Sequence, residues 1–259
     1  MQWDISQIGE WQSIFFWPAL RILALFGSAP ILSERSVPSQ VKIGLALLFT
    51  FLIGPTLPPV TVPLMTMAGF WLGLQQVLIG IAIGLTLQFI FGAVRLAGEI
   101  IGMQMGLSFA MFFDPVGGAN MPMMARIMNT LLILLFLTFN GHLWMLSSVA
   151  DSFQTLPIST TPLNGSGFMA LARTASIVFS SGLMLGLPVI TILLTINLAL
   201  GLLNRLTPQL SIFVIGFPVT LMVGMVTMML VMHTLSPFSE HLFMDVFTKV
   251  NEVINNIAG

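Results

Sequence analysis

From Met65 to Val94 the chain runs thirty residues without one charged side chain. A span of ~20 apolar residues is enough to cross a bilayer as helix. A run this long fits few folds other than a helix buried in lipid or in protein. The rest of the chain is of the same kind, 56% hydrophobic and 7% charged, where a soluble domain carries roughly 25% charged residues. A transmembrane barrel would need alternating segments of about ten residues. The apolar runs here are longer and do not alternate, so the expected fold is an all-α membrane protein.

The apolar runs predict helical segments over about 11–32, 41–53, 65–109, 123–150, 168–204 and 209–236, with a mildly amphipathic C-terminal helix over 239–256. Together they are read as one integral-membrane domain, 1–259. The turn from Gly54 to Pro59 and Pro63 cannot be regular helix. Pro188 is expected to interrupt the fifth segment, and Pro237 to end the sixth. The acidic N-terminus, MQWDISQIGEWQ, lacks a basic n-region, so the first hydrophobic segment is expected to stay in place.

Small residues four apart recur at Gly69/Gly73, Gly80/Gly84, Gly98/Gly102 and Gly182/Gly186. Such spacing bares a helix face and lets backbones approach closely. Gly98, Gly102, Gly182 and Gly186 are therefore candidate packing positions. Gln75, Gln76 and Gln88 need partners in an apolar setting and should face other helices. Arg21 sits near the middle of the first segment and should face protein, water or a carboxylate, or else snorkel. Arg95, Glu99 and Arg126 complete the set of expected buried charges. Arg95 and Glu99 are four apart on one helix face and can form a structural pair.

The stretch from Arg95 to Arg126, RLAGEIIGMQMGLSFAMFFDPVGGANMPMMAR, differs from its surroundings. Its methionines, Met103, Met105, Met111, Met121, Met123 and Met124, bracket a Gly/Pro loop. Irregular polar backbone at membrane depth survives only inside protein or beside a water-filled path. Gly106, Leu107, Ser108, Phe109, Met111, Phe112, Phe113, Asp114, Pro115, Gly117, Gly118, Asn120, Met121 and Pro122 are candidate gate-loop residues. Asp114 precedes proline, where aspartate holds a turn or faces a channel. Methionines fill irregular core gaps; flexible and unbranched, they also suit a seal around objects of varying shape.

Catalytic chemistry has little to stand on. No GxxxxGK[ST] loop, HExxH helix or GxSxG elbow occurs, and cysteine is absent. His142, beside Trp144, reads as a packing residue. No cofactor or metal is expected, and a net charge of −1 excludes a nucleic-acid footprint.

Several long stretches are recognisable: APILSER (Ala29 to Arg35), AGEIIGMQMGLSFA (Ala97 to Ala110), FNGHLW (Phe139 to Trp144), FMALAR (Phe168 to Arg173) and NLALGLLNRLTPQLSIFVIGFP (Asn197 to Pro218). On these the chain resembles the FliR/SctT family of type III export-gate membrane subunits, its flagellar branch above all, over nearly its whole length. The resemblance implies a non-enzymatic subunit of a helical ring built with FliP-like and FliQ-like subunits. FlhB-like and FlhA-like subunits lie on its cytoplasmic side, in the bacterial inner membrane at the flagellar basal body. Unfolded flagellar proteins would be the substrates and membrane lipid the surroundings. Gly106 to Pro122 matches the family's plug loop. The basic residues Arg35, Lys42, Arg95, Arg126 and Arg205 alone would put the central stretch at the cytoplasm and both termini outside. The resemblance implies instead long kinked hairpins lying largely above the membrane plane. Two other readings are a secondary transporter or channel for small solutes, whose broken helices would suit that class, and a scaffold whose glycine faces only join partners.

Overall fold

A computed structural model describes residues 5–34, 37–60, 62–63, 65–107, 122–207 and 212–259, with backbone alone for 5–13 and 212–214. Among the described residues the chain is helical and has no strand. The helices are α1 (Ile5–Ser28), α2 (Ser39–Ile53), α3 (Met67–Gln104), α4 (Met123–Thr138), α5 (Gly141–Thr155), α6 (Gly165–Thr174), α7 (Ser176–Leu206) and α8 (Ile212–Ala258), with a short 3₁₀ turn at Gly54–Thr56. By length and composition four stretches could cross a membrane: Ser39–Thr56, Met67–Gln104, Gly165–Leu206 and Ile215–Ala258. Counting the broken pair α4–α5 as one span makes five.

Several boundaries differ from those expected, for local reasons. The run 123–150 is two helices, because Phe139 leaves helical geometry and Asn140 takes a left-handed conformation, φ 56°. The fifth segment breaks at Ala175, not at Pro188. Pro237 does not end a helix: α8 runs 47 residues through both Pro218 and Pro237. An interior proline removes one backbone bond and costs ~3 kcal/mol. Packing on both sides outweighs that cost. Leu185, Val189 and Leu193 are buried around Pro188, and Leu235, Ser239, Leu242 and Phe243 around Pro237.

The chain divides into two compact units, each assembled from separate stretches of sequence. Unit 1 holds residues 1–89, 140–175 and 245–259. Here α1 and α3 run in the same direction in close contact. Trp17 and Leu20 lie 3.4 Å from where a Cβ on Gly73 would stand. A Cβ on Gly80 would meet the Arg21 carbonyl and come within 2.8 Å of Ala24 Cβ, and one on Gly84 would strike Ser28 Oγ. The expected small-residue face at 80 and 84 is thus an α1–α3 contact in which only glycine fits. The last turn of α8 is closed by the start of α6. Asn164 N–H donates to the Ile257 carbonyl at 3.0 Å, Ser166 Oγ donates to the Asn256 carbonyl at 2.8 Å, and Gly167 packs on Ile257. Asn164 also caps α6 itself, its Oδ1 accepting from Ser166 N–H at 3.0 Å.

Unit 2 holds residues 90–139 and 176–244. The C-terminal third of α3 is its axis. A Cβ on Gly98 would stand 2.5 Å from Ala125 Cα on α4, and one on Gly182 of α7 would stand 2.7 Å from the Ala93 carbonyl. Phe136 joins α4 to its neighbours, edge-on to Phe91 at 5.7 Å and to Phe243 of α8 at 5.6 Å. Outward, α7 and α8 present apolar side chains, among them Phe179, Met184, Leu198, Met222, Met225 and Met229. A sheath of this kind belongs against lipid or other apolar subunits.

Candidate functional site

The expected gate loop springs from the end of α3 in unit 2. Of its residues, Ser108, Phe109, Met111, Phe112, Phe113, Asp114, Pro115, Gly117, Gly118, Asn120 and Met121 lie outside the described residues; Gly106, Leu107 and Pro122 lie within them. The base of the loop is therefore where its geometry can be read.

α3 stops for a definite reason. Gly106 takes φ 81°, a left-handed conformation that glycine adopts without strain. Leu107 N–H then reaches back to the Gly102 carbonyl at 3.0 Å, and Gly106 N–H to the Met103 carbonyl at 3.1 Å. The long return bond to Gly102 marks a Schellman-type end, with Gly106 just past the last helical turn. On the far side of the loop, Pro122 precedes α4 in extended geometry, φ −54° and ψ 146°, where its missing N–H costs nothing.

Two other helices hold the end of α3 in place. Asn197 of α7 donates from Nδ2 to the Gln104 carbonyl at 3.3 Å and to Gln104 Oε1 at 3.4 Å. Thr220 of α8 donates to the Met105 carbonyl at 3.4 Å. Met105 is fully buried, its Cγ, Cε and Sδ filling the space over Gly224, where a Cβ would come within 2.6–2.9 Å. The start of α4 is held by the glycine face of α3. Gly98 meets Ala125 and the Met124 backbone, and a Cβ on Gly102 would stand 3.4 Å from Met124 Cβ. Both ends of the loop thus rise from one packed group of helices. Sequence reasoning missed Asn197 and Thr220. The one signal available was their polarity inside otherwise apolar runs.

The other expected packing glycines behave unequally. Gly182 is as tight as Gly98, with the Ala93 carbonyl and the Leu96 side chain against it. Gly186 is no tight contact between helices: a Cβ there would meet Ile190 Cδ1 of its own helix at 3.0 Å, and its nearest neighbour on another helix is Ala97 at 3.8 Å.

The four expected buried charges differ from one another. Arg21 in unit 1 is fully buried and matched by neutral groups. Nε donates to Gln76 Oε1 at 2.9 Å, Nη1 to the Ser152 carbonyl at 2.9 Å and Ser152 Oγ at 3.0 Å, and Nη2 to the Leu156 carbonyl at 2.9 Å. The guanidinium also lies 4.2 Å from the Phe153 ring centroid. Ser152 and Leu156 form the C-terminal end of α5. Arg21 is thus a helix C-cap supplied by a distant segment, its charge facing the negative end of the α5 dipole. Gln75, the neighbour of Gln76, is also buried and donates to the Thr161 carbonyl at 2.9 Å. Arg95 and Glu99 are only half-buried, and Arg126, expected inside, is exposed. The Arg95–Glu99 pair is not formed. The one ion pair among the described residues joins Lys249 to Glu252, and Arg95 Nε is sealed from solvent without a partner. Arginine first and acid fourth is the poorer order for a helical pair.

The chain matches the family of bacterial export proteins, family 1, over residues 13–246. It is 58% identical to the flagellar biosynthetic protein FliR of Escherichia coli K12, over 96% of this chain and 95% of that protein. It is 55% identical to the FliR of Pectobacterium carotovorum over 99% of this chain and 97% of that one. The FliR of Bacillus subtilis is 28% identical over 86% of the chain and 88% of that protein. A match of this length, with long apolar helices and glycine-packed contacts throughout, places the chain in the bacterial export proteins, family 1.

Proposed function

We propose that the chain is a subunit of the flagellar type III protein export gate, helping to form and close the pore through which unfolded flagellar proteins leave the cell. The observation that carries this reading is identity along nearly the whole length with proteins named as flagellar biosynthetic FliR. Gly106–Pro122 acts as the plug. The anchoring of Gln104 and Met105 by Asn197 and Thr220 supports that role, because a plug can hold a pressure or potential difference only from a fixed base. The chain works non-catalytically in the inner membrane at the flagellar basal body, inside a ring with FliP-like and FliQ-like subunits and beside FlhB-like and FlhA-like ones. Ion leak in cells carrying the whole gate tests the plug. Deletion of residues 106–122 should leave assembly intact and let small ions pass. A deletion that assembles and stays tight would assign the seal to other subunits and leave this chain as scaffold.

A further inference from the structure

Among the described residues Arg95 and Glu99 are charges without counterparts. Both lie in the C-terminal third of α3, where Val94, Ala97 and Ile101 beside them are fully buried. Neither makes an ion pair or side-chain hydrogen bond among the described residues, and Arg95 Nε is closed off from solvent as well. Successive helical residues turn by about 100°, so the two charges share a stripe. The stripe lies between the face of α3 that meets α4 through Gly98 and Gly102 and the face that meets α7 through Gly92 and Leu96. It is only half-covered. A chain with 7% charged residues has kept two of them, of opposite sign and one turn apart, in a setting where unmatched charge is costly. Arg21 shows how this chain satisfies a cation when its own groups are meant to do so.

We propose that the Arg95–Glu99 stripe is a docking surface for a helix of another membrane subunit. That helix carries an acidic and a basic residue about one turn apart, so that Arg95 meets its acid and Glu99 its base. Charge complementarity of this kind fixes register and rejects wrong neighbours. The proposal does not depend on the plug reading, since neither residue lies within 106–122.

Two arms test it in the complete assembly. In the first, R95E, E99R and the double exchange R95E/E99R are compared by recovery of the chain in the detergent-solubilised complex. Each single reversal should lower recovery by about thirtyfold, the loss expected when a buried interfacial charge is left unpaired. The double exchange should stay as low, because the partner is still unreversed. Recovery restored by the double exchange would mean the two residues serve each other and would overturn the proposal. In the second arm, Met103→Cys, an exposed position one turn beyond Glu99 that leaves both charges in place, gives the only thiol in a cysteine-free chain and is cross-linked in the otherwise intact complex. The expected adduct maps to a helix of a different membrane subunit with the complementary pair, and reversing that pair restores the R95E/E99R assembly. A cross-link to a second copy, a cross-link within the same chain, or labelling of the introduced thiol by a membrane-impermeant maleimide in the assembled complex would each overturn it. The last would assign the stripe to an aqueous path.

Discussion

Arg21 offers the sharpest test of the packing described for unit 1. Replacing it with methionine keeps most of the volume and removes every donor. Gln76 Oε1, the Ser152 carbonyl and hydroxyl and the Leu156 carbonyl would then lose a partner at 2.9–3.0 Å. Two of these are backbone carbonyls at the end of α5, which no apolar side chain can satisfy. Relief from burying a cation offsets part of the loss, since apolar replacements of whole buried ion pairs are often neutral. Here, however, the acceptors stay behind. Leaving buried partners unmet costs about 3–5 kcal/mol. At roughly 2–4 °C per kcal/mol for a chain of this size, the melting midpoint of the purified chain in detergent should fall by about 10 °C. Arg21→Lys should fall roughly half as far. It keeps the charge near the α5 dipole, but its single ammonium cannot span acceptors on two helices as the guanidinium does. Fluorescence-detected thermal unfolding of wild type, R21K and R21M checks the order. R21M as stable as wild type would refute the reasoning: the arginine would then be tolerated in its site rather than needed as the cap of α5.

Other substitutions follow from named contacts. Gly98→Val should abolish a stable fold in detergent, because its Cβ alone would stand 2.5 Å from Ala125 Cα; Gly102→Ala, facing Met124 Cβ at 3.4 Å, should cost under about 1 kcal/mol in the same unfolding assay. Gly106→Ala should destabilise by about 1–2 kcal/mol, since φ 81° is unfavourable for a residue with a Cβ. Asn197→Ala combined with Thr220→Val should leave the melting midpoint within a few degrees while raising hydrogen exchange at residues 103–107; unchanged exchange there would mean the clamp holds nothing. Asn164→Ala should cost about 1 kcal/mol through loss of the α6 cap, read as faster exchange at Ser166 and Gly167.

Sequence rules serve best where they concern one face of one helix. The glycine pairs at 80/84 and 98/102 announce close contacts, because a bare stripe has no other structural use, and a neighbouring helix fills the space over Gly80, Gly84 and Gly98. The cost of an unmet amide puts Gln75 and Gln76 against protein, and each has a partner, but the same rule fails for Gln88, whose Oε1 is buried without one among the described residues. What the sequence could not supply was the identity of any partner. Arg21 finds Ser152 and Leu156 more than 130 residues away, and no periodicity encodes that distance. Helix ends fail in a more instructive way. Proline reads as punctuation at 188 and 237, yet both helices continue, whereas the sharp break falls at left-handed Asn140 and only a one-residue interruption at Ala175. A missing N–H is a fixed local cost, and buried side chains on both flanks exceed it. The end of α3 is the opposite case. Nothing forbids helix at Gly106, but its carbonyl-capping turn, with Asn197, Thr220 and Gly224 arrayed around Gln104 and Met105, makes a stop there better than one more turn. The base of the candidate plug is therefore set by groups from three helices at once, and a reading confined to the loop's own residues finds the loop but not what holds it.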